Sequence, residues 1–229
     1  MQRLHAIAFL GFSLVASAAL GAGGGGGGGG GFGGSGASPK EIALAHFQRG
    51  EDARKDALES FQAAQAAADG AAKQEALESA TGKLKRALRA YKEATRADRK
   101  AYFAWNGMGF CQRMLGDNDA ALKSYERALK IEPGFPQAVE YRGEAYLNLG
   151  RLDEAKAAYM DLFARERALA DLLLRKMQAW VAAARQNQQA PEAQVRLDEF
   201  AKWVDERAAL AQQSASLAPA ATELDIARW

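Results

Sequence analysis

From Lys40 onward the apolar residues return every three or four positions instead of every second one, the spacing of an α-helix with one buried face. Ala43, Phe47, Ala57, Phe61, Ala64 and Ala68 make such a stripe and predict a helix over about Lys40 to Asp69. Leu172, Leu173, Met177, Trp180, Val181 and Ala184 predict another, and after a loop from Asn187 to Pro191 a further stripe of Leu197, Phe200, Trp203 and Val204 follows. Trp180 and Trp203 are large enough to read as core. Ala, Leu, Glu, Lys, Arg and Gln, the strong helix formers, dominate this part of the chain, with no run of alternating β-branched residues. The expected fold class is all-α.

Between these stripes the pattern repeats. Gly109, Leu115, Gly116, Asp119, Ala121 and Tyr125 return 34 residues later as Gly143, Leu149, Gly150, Asp153, Ala155 and Tyr159. Gly109 and Gly143 fall inside a predicted helix, where glycine costs about 1 kcal/mol relative to alanine; the cost predicts a second helix so close that no side chain fits. Ala121 and Ala155 are the small residues facing them, and Tyr125 and Tyr159 fill the space between repeats. Gly116 and Gly150 suit the left-handed turn that ends a helix, with Asp119 and Asp153 near the next N-terminus, where a carboxylate meets free amides. Trp105, Ala128 and Pro133 complete the first copy.

These residues resemble the tetratricopeptide repeat, and the chain reads as an exported bacterial member of that family. The resemblance implies an array of antiparallel helix hairpins, two clear and one or two degenerate, with flanking helices capping its ends. Departures are present. Gln112 replaces an expected aromatic, and the second copy has Val139, Leu162 and Arg167 where the pattern has tryptophan, a small residue and proline, so the second repeat is expected to run on into a longer helix. Gly82, Ala87, Tyr91 and Ala94 continue the period backward. Two readings stay open there: a degenerate repeat with its first helix over about Ala71 to Ala80, or one continuous helix through Arg96.

By family position the first helix of each repeat lines a groove. The residues so assigned are Phe103, Asn106, Phe110, Arg113 and Met114 in the first repeat and Gln137, Glu140, Glu144, Leu147 and Asn148 in the second. One half is apolar with an arginine and the other acidic, which suits a peptide or helix segment with an apolar anchor beside a Lys or Arg. The chaperone-tail clamp of some members is not matched, because Phe110 stands where an asparagine is required.

Arg3 and His5 precede an apolar run from Ala6 to Leu20, and Ala16-Ser17-Ala18 supplies a small-x-small cleavage site, the layout of a secretory signal. The expected address is periplasmic or secreted, with an uncleaved inner-membrane anchor as the lesser reading. The glycine run that follows has no apolar surface to offer against the entropy of ordering it and reads as a linker. The plan is a signal peptide over 1–18 cleaved near Ala18, a glycine-rich linker over 19–39, N-terminal helices over 40–100, repeats over 101–134 and 135–168, a C-terminal hairpin or divergent repeat over 169–214, and a tail over 215–229.

Chemistry is sparse. Cys111 is the only cysteine and reads as a small buried side chain, and after signal removal His46 is the only histidine, with no metal-type spacing around either. No enzyme and no cofactor is expected. The formal net charge of +2 gives no reason to seek a polyanion. Lys85, Arg89, Lys92, Arg96 and Arg99, however, recur at helical spacing as a basic stripe, open to an anionic partner or to peripheral membrane contact. Without interleaved aromatics, nucleic acid is not expected. The tail, ending Leu224-Asp225-Ile226-Ala227-Arg228-Trp229, offers a route to self-association. The function expected is a non-catalytic protein-interaction scaffold of the bacterial envelope. The alternative is a small-molecule or lipid carrier with a cavity between the repeats and the C-terminal hairpin.

Overall fold

The computed structural model describes residues 37–187 and 190–217, with side chains through 213. The expected signal peptide, the linker up to residue 36 and the tail from residue 218 lie outside the described residues. Those described form eight α-helices and no strand, the all-α fold expected. They group into two compact units, one through Ala104 and one from Trp105, the division falling within the third helix.

The first unit is built on a long hairpin, α1 (Pro39–Ala66) and α2 (Gly70–Ala97). A capping box fixes the start of α1: Ser38 Oγ accepts from the Glu41 amide at 3.3 Å and the Glu41 carboxylate accepts from the Ser38 amide at 2.7 Å, with Pro39 in the first turn. Asp69 starts α2 by accepting from the Ala72 amide at 2.8 Å. The two helices meet along small residues, Ala53, Ala57 and Ala64 on α1 and Ala80, Ala87 and Ala94 on α2, with Phe61, Leu84 and Tyr91 buried among them.

Of the two readings for 71–96, the continuous helix is the one found. Gly82 does not break it, because Ala80 and Leu84 on either side are fully buried and outweigh the glycine's cost. The tyrosine in register nevertheless has its glycine, in α1. A Cβ placed on Gly50 would lie 2.5 Å from Tyr91 Cε1, as one on Gly109 would lie 2.6 Å from Tyr125 Cε1. Gly50 precedes Tyr91 by 41 residues where Gly109 precedes Tyr125 by 16. The difference, 25 residues, is close to seven helical turns at 3.6 residues each. Measured from those anchors to the helix ends, 11 of the extra residues lie in α1 and 14 in α2, about three and four turns, and the connection stays at three residues. Whole turns keep both apolar faces aimed at each other.

The second unit comprises α3 (Tyr102–Met114) from Trp105 on, α4 (Asn118–Ile131), α5 (Pro136–Asn148), α6 (Leu152–Arg165), α7 (Arg167–Arg185) and α8 (Pro191–Leu217). Gly116 and Gly150 take φ of +87° and +68°, as the repeat spacing predicts. Each closes its helix with a paired cap: Asp117 N donates to Gln112 O and Gly116 N to Arg113 O, then Arg151 N to Tyr146 O and Gly150 N to Leu147 O. The cap of α4 is Asp117, accepting from the Ala120 amide at 3.1 Å, with Asp119 in the first turn.

The repeats differ in what lies on their glycines. Gly109 is covered by the Tyr125 ring of its own hairpin, whereas a Cβ on Gly143 would lie 2.7 Å from Leu173 Cδ2 on α7. Tyr125 also reaches the next hairpin, its ring 6.2 Å from that of Tyr141. The expected run-on of the second repeat is corrected at Glu166, whose φ of −142° and ψ of 72° stop α6 and start α7. Neither proline nor glycine marks this break; burial of Leu162 on one side and Ala170 and Leu173 on the other sets it. Hairpin α7/α8 closes the core with Met177, Val181, Leu197, Phe200 and Val204, and half-buried Trp203 stands edge-on to Tyr159 at 5.4 Å.

Candidate functional site

Helices α3 and α5 lie side by side, joined by one ion pair among aromatic rings. Arg113 donates to Glu144 Oε2 at 2.9 Å, with 6 % and 16 % of the two side chains exposed. Its guanidinium lies 5.5 Å from the Phe110 ring centre and 5.6 Å from that of Tyr141, and those two rings are 5.5 Å apart. Desolvation opposes the arginine's charge, but Glu144, Tyr125 and Glu140 around it hold its pKa above the ordinary value. Burial drives the Tyr125 hydroxyl pKa up in turn.

Glu140, one turn before Glu144, is 1 % exposed. Burial and the neighbouring Glu144 carboxylate raise its pKa well above 4.5, against the pull of Arg113 and Lys176. Among the described residues Glu140 Oε1, Arg113 Nε, Tyr125 Oη and Asn106 Oδ1 find no partner in ordinary hydrogen-bond geometry, although Tyr125 lies against Arg113 and Glu140 against Glu144. Buried polar atoms left so are uncommon, and a carboxyl in such a place favours its neutral form. The cluster thus balances its charge internally.

This burial decides what a partner could touch. Phe110, Arg113, Glu140 and Leu147 are buried, Asn106, Met114 and Glu144 half-buried, and Gln137 and Asn148 exposed. Asn148 donates to Asn118 Oδ1 at 3.0 Å, tying the end of α5 to the start of α4. Phe103 belongs to the first unit, half-buried and edge-on to Phe47 at 4.7 Å. Tyr141, half-buried, was not anticipated; its place beside Glu140 gave the only signal. The face left accessible is mostly neutral: Asn106, Met114, Gln137, Tyr141 and Asn148, with part of Glu144.

Lys85, Arg89, Lys92 and Arg96 are all exposed on one face of α2, and exposed Arg99 lies past its end. Arg96 pairs with Glu93. In the second unit a half-open cleft of about 330 Å³ is lined by Leu149, Gly150, Leu152, Trp180, Ala184, Ala193, Arg196 and Leu197. Cys111 is buried and His46 half-buried on α1. Among the described residues no three His, Cys, Asp or Glu side chains gather as a metal site, and no helix is long and apolar enough to cross a membrane.

The Tetratricopeptide repeat family pattern matches residues 102–135 and, in a second form, 124–157. No curated protein matches the chain. Among solved structures it is similar to the second TPR domain of the human RPAP3 protein, solved by NMR in complex with the HSP70 peptide SGPTIEEVD. That likeness has 20% identity and a TM-score of 0.42, and covers 58% of this chain and 96% of that one. It is also similar to the first TPR of Spaghetti (RPAP3) bound to the HSP90 peptide SRMEEVD, at 16% identity and a TM-score of 0.38, over 69% of this chain and 95% of that one.

Proposed function

We propose that this chain, which carries tetratricopeptide repeats, is a non-catalytic adaptor of the bacterial cell envelope, periplasmic or secreted, that holds a segment of a protein partner along α3 and α5. The observation that carries the reading is the Arg113–Glu144 pair, buried between aromatic rings and locking two adjacent helices beneath a neutral polar face. A rigid surface loses little entropy on binding, and exposed amides at Gln137 and Asn148 suit the main chain of an extended segment. Because the charges below are already neutralised, binding here depends little on salt. A lysine or arginine in the partner is therefore not required, in contrast to the expectation from the groove residues assigned by family position.

The test is photocrosslinking in cells from positions 137 and 148, with exposed Lys123 on α4 as the control position. Adducts to one partner from 137 and 148 but not from 123 support the proposal. The same adducts from all three positions, or none from the first two, overturn it. Sequencing the N-terminus of the envelope-fraction protein tests the address, with cleavage near Ala18 expected. The cleft of about 330 Å³ supports a second reading, a carrier of a small apolar ligand. Native mass spectrometry showing a copurified ligand, lost when Trp180 and Leu197 are changed to polar residues, would favour it.

A further inference from the structure

The chain exposes two charged helix faces of opposite sign and matching spacing. On α2, Lys85 and Lys92 are seven residues apart, as are Arg89 and Arg96, and all four fall within one narrow stripe. Lys85, Arg89 and Lys92 have no ion-pair partner among the described residues, although like charges three and four apart on a helix repel. On α8, Glu199 and Glu206 are seven apart, Asp198 and Asp205 likewise, and Glu192 continues the first row backward. All five are exposed, with exposed Arg196 and Lys202 interspersed among them, and no ion pair among the described residues engages the five. Exposed Val195 and Leu210, 58 % and 48 % accessible, lie along the same row. Seven residues advance a helix by about 10.5 Å, so cations and carboxylates share one axial repeat.

We infer that the α2 stripe of one molecule docks on the α8 carboxylate face of a second copy, making self-association a property of this chain distinct from the α3/α5 face. Charge complementarity selects the occupant: the α8 carboxylates, in excess over Arg196 and Lys202, repeat at the same spacing as the α2 cations. Relief of the repulsion along α2 and cover for Val195 and Leu210 act in the same direction. Exposed charge pairs are individually weak and screened by salt. The association is therefore reversible, and strongest at low ionic strength.

Sedimentation equilibrium of the full chain tests this at 20 mM and 500 mM salt, across a range of protein concentrations. The expected result is a mass above that of the monomer at low salt, rising with concentration, and an association constant reduced at least about tenfold at high salt. Two exposed-surface variants, Lys85→Glu/Arg89→Glu/Lys92→Glu and Glu199→Lys/Glu206→Lys, each remain monomeric with unchanged helicity, and mixing the two restores association. A monomer at every concentration in low salt overturns the inference. So does undiminished association of the α2 variant. If only the α2 variant loses association, or mixing fails to restore it, α8 is not the seat and the inference falls. An α2 stripe that instead binds anionic vesicles while the chain stays monomeric also refutes it, in favour of a membrane surface.

Discussion

The same substitution at two glycines in the first hairpin should have opposite signs. Gly82 lies in the interior of α2 with nothing within 4 Å of a built Cβ, so Gly82→Ala gains only helix propensity, about 0.8 to 1 kcal/mol. Gly50→Ala gains the same in α1 but places its methyl 2.5, 2.7 and 2.9 Å from Cε1, Cδ1 and Cζ of Tyr91. Ordinary carbon contacts are about 3.5 to 4.0 Å, so three ring atoms must retreat by roughly 1 Å. The ring has no room, being fully buried, with its hydroxyl donating to Glu51 Oε1 at 2.5 Å. Overpacking of this kind costs about 1 to 3 kcal/mol, and this case lies toward the upper end. Net of propensity, Gly50→Ala should destabilise by about 1 to 2 kcal/mol, leaving a gap of about 2 to 3 kcal/mol from Gly82→Ala. Urea unfolding followed by circular dichroism measures both. In a Tyr91→Leu background the penalty at position 50 should vanish, a coupling that a double-mutant cycle reads directly. If Gly50→Ala stabilises like Gly82→Ala, or costs the same with Tyr91 absent, the close approach is not what keeps glycine there.

Glu140→Gln should stabilise the second unit increasingly from pH 4.5 upward. Its raised folded pKa means the native state keeps a proton that the unfolded state has lost, so the wild type loses stability as pH rises through that interval, by up to about 1.4 kcal/mol per pH unit; a urea-midpoint difference that does not change with pH refutes this. Gly116→Ala, forced to φ of +87°, should cost about 1 to 2 kcal/mol even though its Cβ would meet nothing within 4 Å, and Gly150→Ala at +68° should cost a similar amount. Equal or higher unfolding midpoints would show that the turns relax. Trp203→Ala, stripping the ring that stands on Tyr159 and stacks on Phe200, should cost about 3 kcal/mol; a loss below about 1 kcal/mol would mark it as surface.

What the sequence disclosed depended on how local the cause was. Gly116 and Gly150 were legible because a helix ending in a left-handed residue needs glycine within one turn of the last periodic position. Tyr125 was legible as a packing residue, though its seat on Gly109 was read as a neighbouring helix backbone when it is the tyrosine's own ring. Around Tyr91 the sequence leaves two readings open because the fixed period sets Gly82 in register with the turn glycine Gly116, whereas the glycine under Tyr91 lies 41 residues back. The stop at Glu166 carries no turn residue to announce it. In the candidate site, family position assigns Arg113 and Glu140 to the groove, where charged residues would face water. Their burial follows from a meeting of α3 and α5 across 31 residues, which periodicity within either helix does not encode.

The lengthened α1/α2 hairpin implies a rule of increments. Because each added residue rotates a helix face by 100°, an arm tolerates growth only in near-complete turns, three or four residues at a time and shared so that both faces stay in phase. A hairpin so constrained behaves like a telescoping strut: its seat, a glycine beneath a tyrosine ring, stays fixed while the tip is carried away from it in steps of about 5.4 Å. Deleting seven whole turns split between the arms, three from α1 and four from α2, should return an ordinary-length hairpin on the same seat. Removing two residues from one arm alone would turn Phe61 and Ala64 away from the face they now occupy.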